Sequence, residues 1–135
     1  MGQQSVTPRT AYILSLIGSI LMVISSIVVL IFAGMLMAMP PHFYVFHRFG
    51  YYPMMSIIPL APIFFVVIGI VGLVVSVLAL YFSLRLGRLS DVNAVHSTGI
   101  VLLILAIIGL FMANGFFIGF ILLLIGSILA ITWKP

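Results

Sequence analysis

The chain has 135 residues, of which 65% are hydrophobic and 4% are charged, with five Lys or Arg, one acidic residue and no cysteine. A soluble domain carries charge on about a quarter of its residues, and a disordered chain combines low hydrophobicity with high charge. The composition excludes both classes, and the length fits a single domain over residues 1–135. The lack of cysteine excludes disulfides, thiolate metal sites and cysteine nucleophiles.

Three long uncharged stretches divide the chain, at residues 11–38, 57–84 and 97–133. A helix needs about 20 residues to cross a hydrocarbon layer of about 30 Å, so the third stretch is too long for one crossing. Asn114-Gly115 is a turn signal inside it, because both residues tolerate positive φ. We therefore predict an all-α membrane protein, an antiparallel four-helix transmembrane bundle, with spans at about 11–38, 57–84, 97–113 and 116–133.

Each predicted span carries a stripe of small residues, with steps of three and four residues in the second span. Lipid tails are as apolar as Leu, so membrane helices associate through the close packing that small residues allow. We favour structural packing for these stripes, and a proton or ion path along them is the alternative. The predicted packing residues of the second and fourth spans are Gly69, Gly72, Ser76, Ala79, Ser83, Gly115, Gly119, Gly126 and Ala130. Those of the other two spans are Ala11, Ser15, Gly18, Met22, Ser25, Gly99, Ala106, Gly109 and Ala113.

Residues 13–21 and 121–129 are identical except at one position, where Ser15 corresponds to Leu123. The two segments belong to spans that cross the membrane in opposite directions, so an inverted repeat of the kind found in transporters is one interpretation. Apolar sequence of low complexity also produces such matches. We therefore favour a shared packing motif over a true repeat.

Residues 39–55, between the first two spans, contain six aromatic residues within ten positions. Pro40, Pro41 and Pro53 prevent a continuous helical hairpin there. Amphipathic rings prefer the headgroup level, so this aromatic outer loop between helices 1 and 2 is predicted to cap the membrane surface. The alternative is a docking surface for a partner subunit, a lipid or a quinone. The candidate contacts are Phe43, Tyr44, Phe46, His47, Arg48, Phe49, Tyr51 and Tyr52.

The sequence shows no ionisable group in the middle of a span, where membrane chemistry usually places one. Asp91 is the only carboxylate side chain, in a loop where it balances arginines or caps the third helix. His42 and His47 are predicted on the opposite side from His96, which argues against a haem held by two histidines, and two histidines without an acid or Cys partner are unspecific for metal. We therefore expect a non-enzymatic protein with no catalytic residue, no metal and no cofactor.

The closing run, residues 115–135, reads GFFIGFILLLIGSILAITWKP. It resembles small uncharacterised prokaryotic four-span membrane proteins, which have Gly-rich spans and a short basic end after the last helix. The resemblance covers mainly the second hairpin, from about residue 99 onward. It implies a four-span topology and adds no site, since such families have no settled activity. The aromatic first loop departs from their plainer loops.

These observations favour a small integral accessory or structural subunit that packs beside a larger membrane assembly or beside copies of itself. The alternative is a small oligomeric transporter or channel, although the spans offer only scattered Ser and Thr as a polar lining. The expected partners are the lipid bilayer and other membrane subunits or further copies. The positive charges are scattered along the chain, which argues against a nucleic-acid ligand.

Topology is predicted from the positive charges, because cytoplasmic loops carry an excess of Lys and Arg. With four spans, Arg9, Arg85, Arg88 and Lys134 share one side and Arg48 lies on the other. We expect a multi-pass protein of the cell membrane with both termini in the cytoplasm. Reporter fusions at the N-terminus, in the second loop and at the C-terminus should all report cytoplasm, and a fusion near Arg48 should report the outside. An outside C-terminus would contradict either the orientation or the number of spans.

Overall fold

The computed structural model describes residues 9–39, 61–112 and 117–134. Over these residues the chain forms four α-helices, which confirms the all-α bundle: α1 Arg9–Ala38, α2 Ala61–Leu86, α3 Val92–Met112 and α4 Phe117–Ile131. The first three helices are long and apolar enough to cross a membrane. The fourth is apolar but has only 15 residues, so the fourth crossing stays a prediction.

The helix boundaries on either side of the second loop differ from the predicted spans. Helix α3 begins at Val92, in polar sequence ahead of the predicted start at residue 97, and α2 continues to Leu86. The Val95 N–H donates to the Asp91 carbonyl over 2.9 Å, so helical hydrogen bonding is already in place there. An uncharged stretch marks the apolar layer, whereas a helix ends only where its backbone hydrogen bonds stop. The connection between α2 and α3 is therefore short.

Helices α1 and α2 run antiparallel, as their close contacts show. Gly87, just after α2, lies against the Tyr12 ring near the start of α1. Towards the other end, Gly69 lies against the side chain of Leu30, and the rings of Phe32 and Phe65 are 6.0 Å apart. The contact positions therefore rise along α1 as they fall along α2.

Helices α1 and α4 also run antiparallel and approach each other closely at two glycines. A Cβ atom at Gly18 would lie 2.6 Å from the Leu123 nitrogen and 2.7 Å from the Gly119 oxygen. A Cβ atom at Gly126 would lie 2.7 Å from the Ser15 nitrogen. At these separations only a residue without a side chain fits between the two backbones. Helix α4 is therefore held directly against the backbone of α1.

Helix α3 completes the bundle between α2 and α4. Gly99, near its start, lies against Ala130 near the end of α4, so these two helices are antiparallel as well. Each helix packs against the next one along the chain, and α4 packs against α1. The four helices thus run alternately up and down around a closed ring, as the sequence predicts for an antiparallel bundle.

The helices end at different heights at one end of the bundle. Gly119, near the start of α4, and Gly109, near the end of α3, both lie beside Met22. Helix α1 continues to Ala38, so its last dozen or so residues extend about 18 Å past the described ends of α3 and α4. We call residues 26–38 and 61–73, which pair along this stretch, the α1/α2 extension. The end of the bundle that carries it is the distal end.

The glycines of the α1–α4 contact should tolerate no side chain. Gly18→Ala and Gly126→Ala should each lower stability by about 1–3 kcal/mol, because a backbone atom cannot move aside without separating the helices. Gly34→Ala is the matched control, since no described atom lies within 4 Å of its Cβ position. Thermal unfolding in a mild detergent measures all three variants. Equal losses at Gly34 and Gly18 would refute the proposed contact.

Candidate functional site

The predicted stripe of small residues on α2 lies inside the bundle. Gly69, Gly72, Ser76, Ala79 and Ser83 are all buried. A Cβ atom at Gly69 would lie 2.6 Å from Leu30 Cδ2, and one at Gly72 would lie 3.2 Å from Ser26 Oγ. The two glycines of the stripe therefore lie on the surface where α1 and α2 meet.

The stripes of the other helices are buried wherever the structure describes them. The buried members on α4 are Gly119, Gly126 and Ala130, and those on α1 and α3 are Ala11, Ser15, Gly18, Met22, Ser25, Gly99, Ala106 and Gly109. Gly115 and Ala113, as well as the predicted turn residue Asn114, lie outside the described residues. The buried positions identify the faces along which the helices touch.

Most of the buried hydroxyl groups serve their own helix. Each of six donates to a carbonyl oxygen three or four residues earlier: Ser15, Ser19, Ser26, Ser76, Thr98 and Ser127. These bonds satisfy the hydroxyl donor locally, so the side chains act as small packing groups instead of joining the helices into a polar network. Ser83 Oγ differs, because it is buried and has no hydrogen-bond partner in the described part of the chain.

His96 links the start of α3 to the end of the chain. Its Nε2 atom lies 3.0 Å from the carbonyl oxygen of Trp133, which follows α4. A carbonyl oxygen only accepts hydrogen bonds, so Nε2 carries the hydrogen and donates it. The sequence predicts an ordinary interfacial histidine, and the hydrogen bond gives it a structural role.

Within residues 9–39, 61–112 and 117–134, no group of three or more His, Cys, Asp or Glu residues is placed to hold a metal ion. His42 and His47 belong to residues 40–60 and lie outside this part of the chain. The predicted outer-loop contacts lie outside it as well, and they stay a prediction: Phe43, Tyr44, Phe46, His47, Arg48, Phe49, Tyr51 and Tyr52.

Four cations gather at the end of the bundle opposite the extension, which we call the basic end. They are Arg9, Arg85, Arg88 and Lys134, and all are exposed. The side chains of Tyr81, Leu84, Arg85 and Arg88 line an open surface groove of about 300 Å³ at this end. The sequence interpretation assigned these arginines to topology alone and predicted no groove.

The α1/α2 extension presents apolar side chains and bare backbone at the opposite end. Ile31 and Met35 of α1 are 58% and 60% exposed, and Phe64 of α2 is 63% exposed. Between the two α1 side chains, a Cβ atom at Gly34 would meet no described atom within 4 Å. Backbone is thus accessible on an apolar helix face, an arrangement that permits close approach of another helix.

Comparison with known proteins identifies no family and no function for the surfaces described above. No family model, curated protein sequence or solved structure gives a significant match to the chain. The resemblance to small prokaryotic four-span proteins therefore stays a prediction, and the function has to be argued from the fold and its surfaces.

The buried stripe of α2 should be sensitive to added volume. Gly72→Leu and Ser76→Leu should each lower the unfolding temperature in detergent, because a large side chain separates α2 from its neighbours. Leu78→Phe, at a position that is 43% exposed, should have a smaller effect. Similar losses at all three positions would show that the stripe does not form the contact surface.

Proposed function

We propose that the protein is a non-enzymatic integral membrane subunit that packs beside a larger membrane assembly or a second copy of itself. The observation that carries this proposal is the α1/α2 extension. Over this stretch the described parts of α3 and α4 no longer accompany the long hairpin. Among the described helices, α3 and α4 therefore leave the apolar side chains of this hairpin uncovered.

The lengths of the helices support the same interpretation. Helix α1 has 30 residues, which corresponds to about 45 Å, whereas α4 has 15, or about 22 Å. A hydrocarbon layer is about 30 Å thick, so the two helices cannot both match it in the same orientation. Either the apolar extension rises out of the layer, where contact with water is unfavourable, or lipid fills the space beside it. In either case, a second membrane helix could cover the apolar side chains of the extension.

The extension carries a sequence feature that favours a helix as the occupant. Gly34 and Ala38 are four residues apart on α1 and both are exposed. Two small residues at this spacing let a second helix approach until the backbones touch, which is how membrane helices gain contact energy. In the sequence, the predicted aromatic segment follows α1 and precedes α2.

A transporter or channel is less well supported. Such a protein needs polar groups that face a path, whereas six buried hydroxyls donate to carbonyls of their own helices. Small hydroxyl side chains of this kind explain close helix packing without a path. The accessory role therefore remains the proposal that the geometry supports best.

Native mass spectrometry after mild solubilisation tests the docking role. The wild-type chain should be recovered with another membrane subunit or as a dimer. Gly34→Leu should insert and fold, because no described atom lies within 4 Å of its Cβ position. It should nevertheless lose most of the associated protein, since the added side chain prevents close approach of a second helix. A decrease of about tenfold or more in the amount of associated protein corresponds to the removal of a central contact of the interface.

The matched control adds volume to an exposed apolar position outside the extension. Ile104 of α3 is 52% exposed, and Ile104→Phe should leave the association unchanged. A wild-type chain recovered alone and monomeric would contradict the proposal. Equal association of wild type and Gly34→Leu would place the partner elsewhere and remove the support that the extension gives.

A further inference from the structure

The groove at the basic end combines an apolar part with a cationic part. Tyr81, Leu84, Arg85 and Arg88 follow one another at helical spacing, so they share a face of α2 and of the turn that ends it. The Arg88 N–H donates to the Arg85 carbonyl over 3.0 Å, which keeps Arg88 in the continuation of that turn. The groove of about 300 Å³ is at the lower limit of small-ligand sites.

The two arginines have unused hydrogen-bonding capacity. Both are exposed, and neither guanidinium forms an ion pair or hydrogen bond with any residue that the structure describes. Asp91 is the only carboxylate side chain in the chain, and it makes no ion pair with them. A guanidinium offers five N–H donors in a planar arrangement that matches the oxygen atoms of a phosphate. Within the described residues no anion occupies these donors, so they are accessible to an anionic ligand.

The position of the groove indicates what kind of anion this is. Tyr81 and Leu84 are 60% and 47% exposed. Tyr81 lies about one helical turn before Arg85 on α2, and Leu84 lies about one turn before Arg88. At the boundary between acyl chains and headgroups, a membrane helix presents apolar side chains towards the acyl chains and arginines towards the headgroups. An amphiphile with a phosphate above an acyl chain has the same order. The groove therefore matches a phospholipid in both chemistry and depth.

We propose that this groove binds the phosphate group of an anionic phospholipid, with the first part of an acyl chain against Tyr81 and Leu84. Arg85 and Arg88 donate to the phosphate oxygens, and such charge-assisted bonds are the strong ones at an accessible site. Basic pockets at the ends of membrane helices recognise anionic headgroups in this way. The proposal is independent of helix docking, since it concerns the opposite end of the bundle.

Native mass spectrometry of the full chain in a neutral detergent tests the site, because it measures the fraction of protein that retains each lipid. The probes are phosphatidylglycerol and phosphatidylcholine with identical acyl chains, and glycerol 3-phosphate as a headgroup without chains. The wild type should retain phosphatidylglycerol in preference to phosphatidylcholine. Arg85→Gln and Arg88→Gln should each reduce that preference about fivefold, and the double variant should abolish it.

Arg9→Gln is the matched control, because it removes one positive charge at the same end from a residue outside the groove. It should keep the wild-type preference, and unfolding temperatures without added lipid should show that all variants are folded. A wild type without preference, or an equal loss in Arg9→Gln, would overturn the site in favour of general charge attraction. Glycerol 3-phosphate that binds as tightly as the lipid would overturn the lipid as the ligand.

Discussion

The contact between α1 and α4 at Gly18 and Gly126 determines how the other helices can be arranged. In lipid, burial of apolar side chains drives little association, so the depth of backbone contact decides which helices stay together. Because α4 lies so close to α1, Met22 reaches the side of α3 at Gly109 and is only 3% exposed. Helix α2 occupies another face of α1 at Gly69. Helix α1 thus packs against both of its neighbours in the ring, α2 and α4.

The same contact explains why the two ends of the molecule differ. Both glycine contacts fall in the half of α1 nearest the basic end, so the short α4 is placed beside that half. The rest of α1 is accompanied by α2 alone among the described helices, and this produces the α1/α2 extension. Charged groups are concentrated where four helices meet, and bare apolar backbone occurs where two helices continue. The proposed lipid site and the proposed docking surface therefore lie at opposite ends of one small chain.

The sequence predicted the buried faces and did not predict the heights at which the helices end. Burial of Ser76 and Ala79 follows from the spacing of small residues along one helix face, and this spacing can be read from the sequence alone. The extension depends on the register between helices, and that register is set by non-local contacts such as Gly126 on Ser15. The hydrogen bond from His96 to a carbonyl beyond α4 is non-local in the same sense. The outer aromatic contacts stay a prediction, since they lie outside the described residues.

The repeated segments, residues 13–21 and 121–129, face each other across the α1–α4 contact. Gly18 lies against the backbone of the second segment, and Gly126 lies against the backbone of the first. The equivalent serines, Ser19 and Ser127, each donate a hydrogen bond to a carbonyl oxygen three residues earlier in their own helix. A repeat of two-helix units would relate α1 to α3 and α2 to α4, and because α1 and α3 run parallel such a repeat would not be inverted. The match joins α1 to α4 instead. This contact favours the predicted packing motif, because two antiparallel helices with the same sequence can present the same surface to each other.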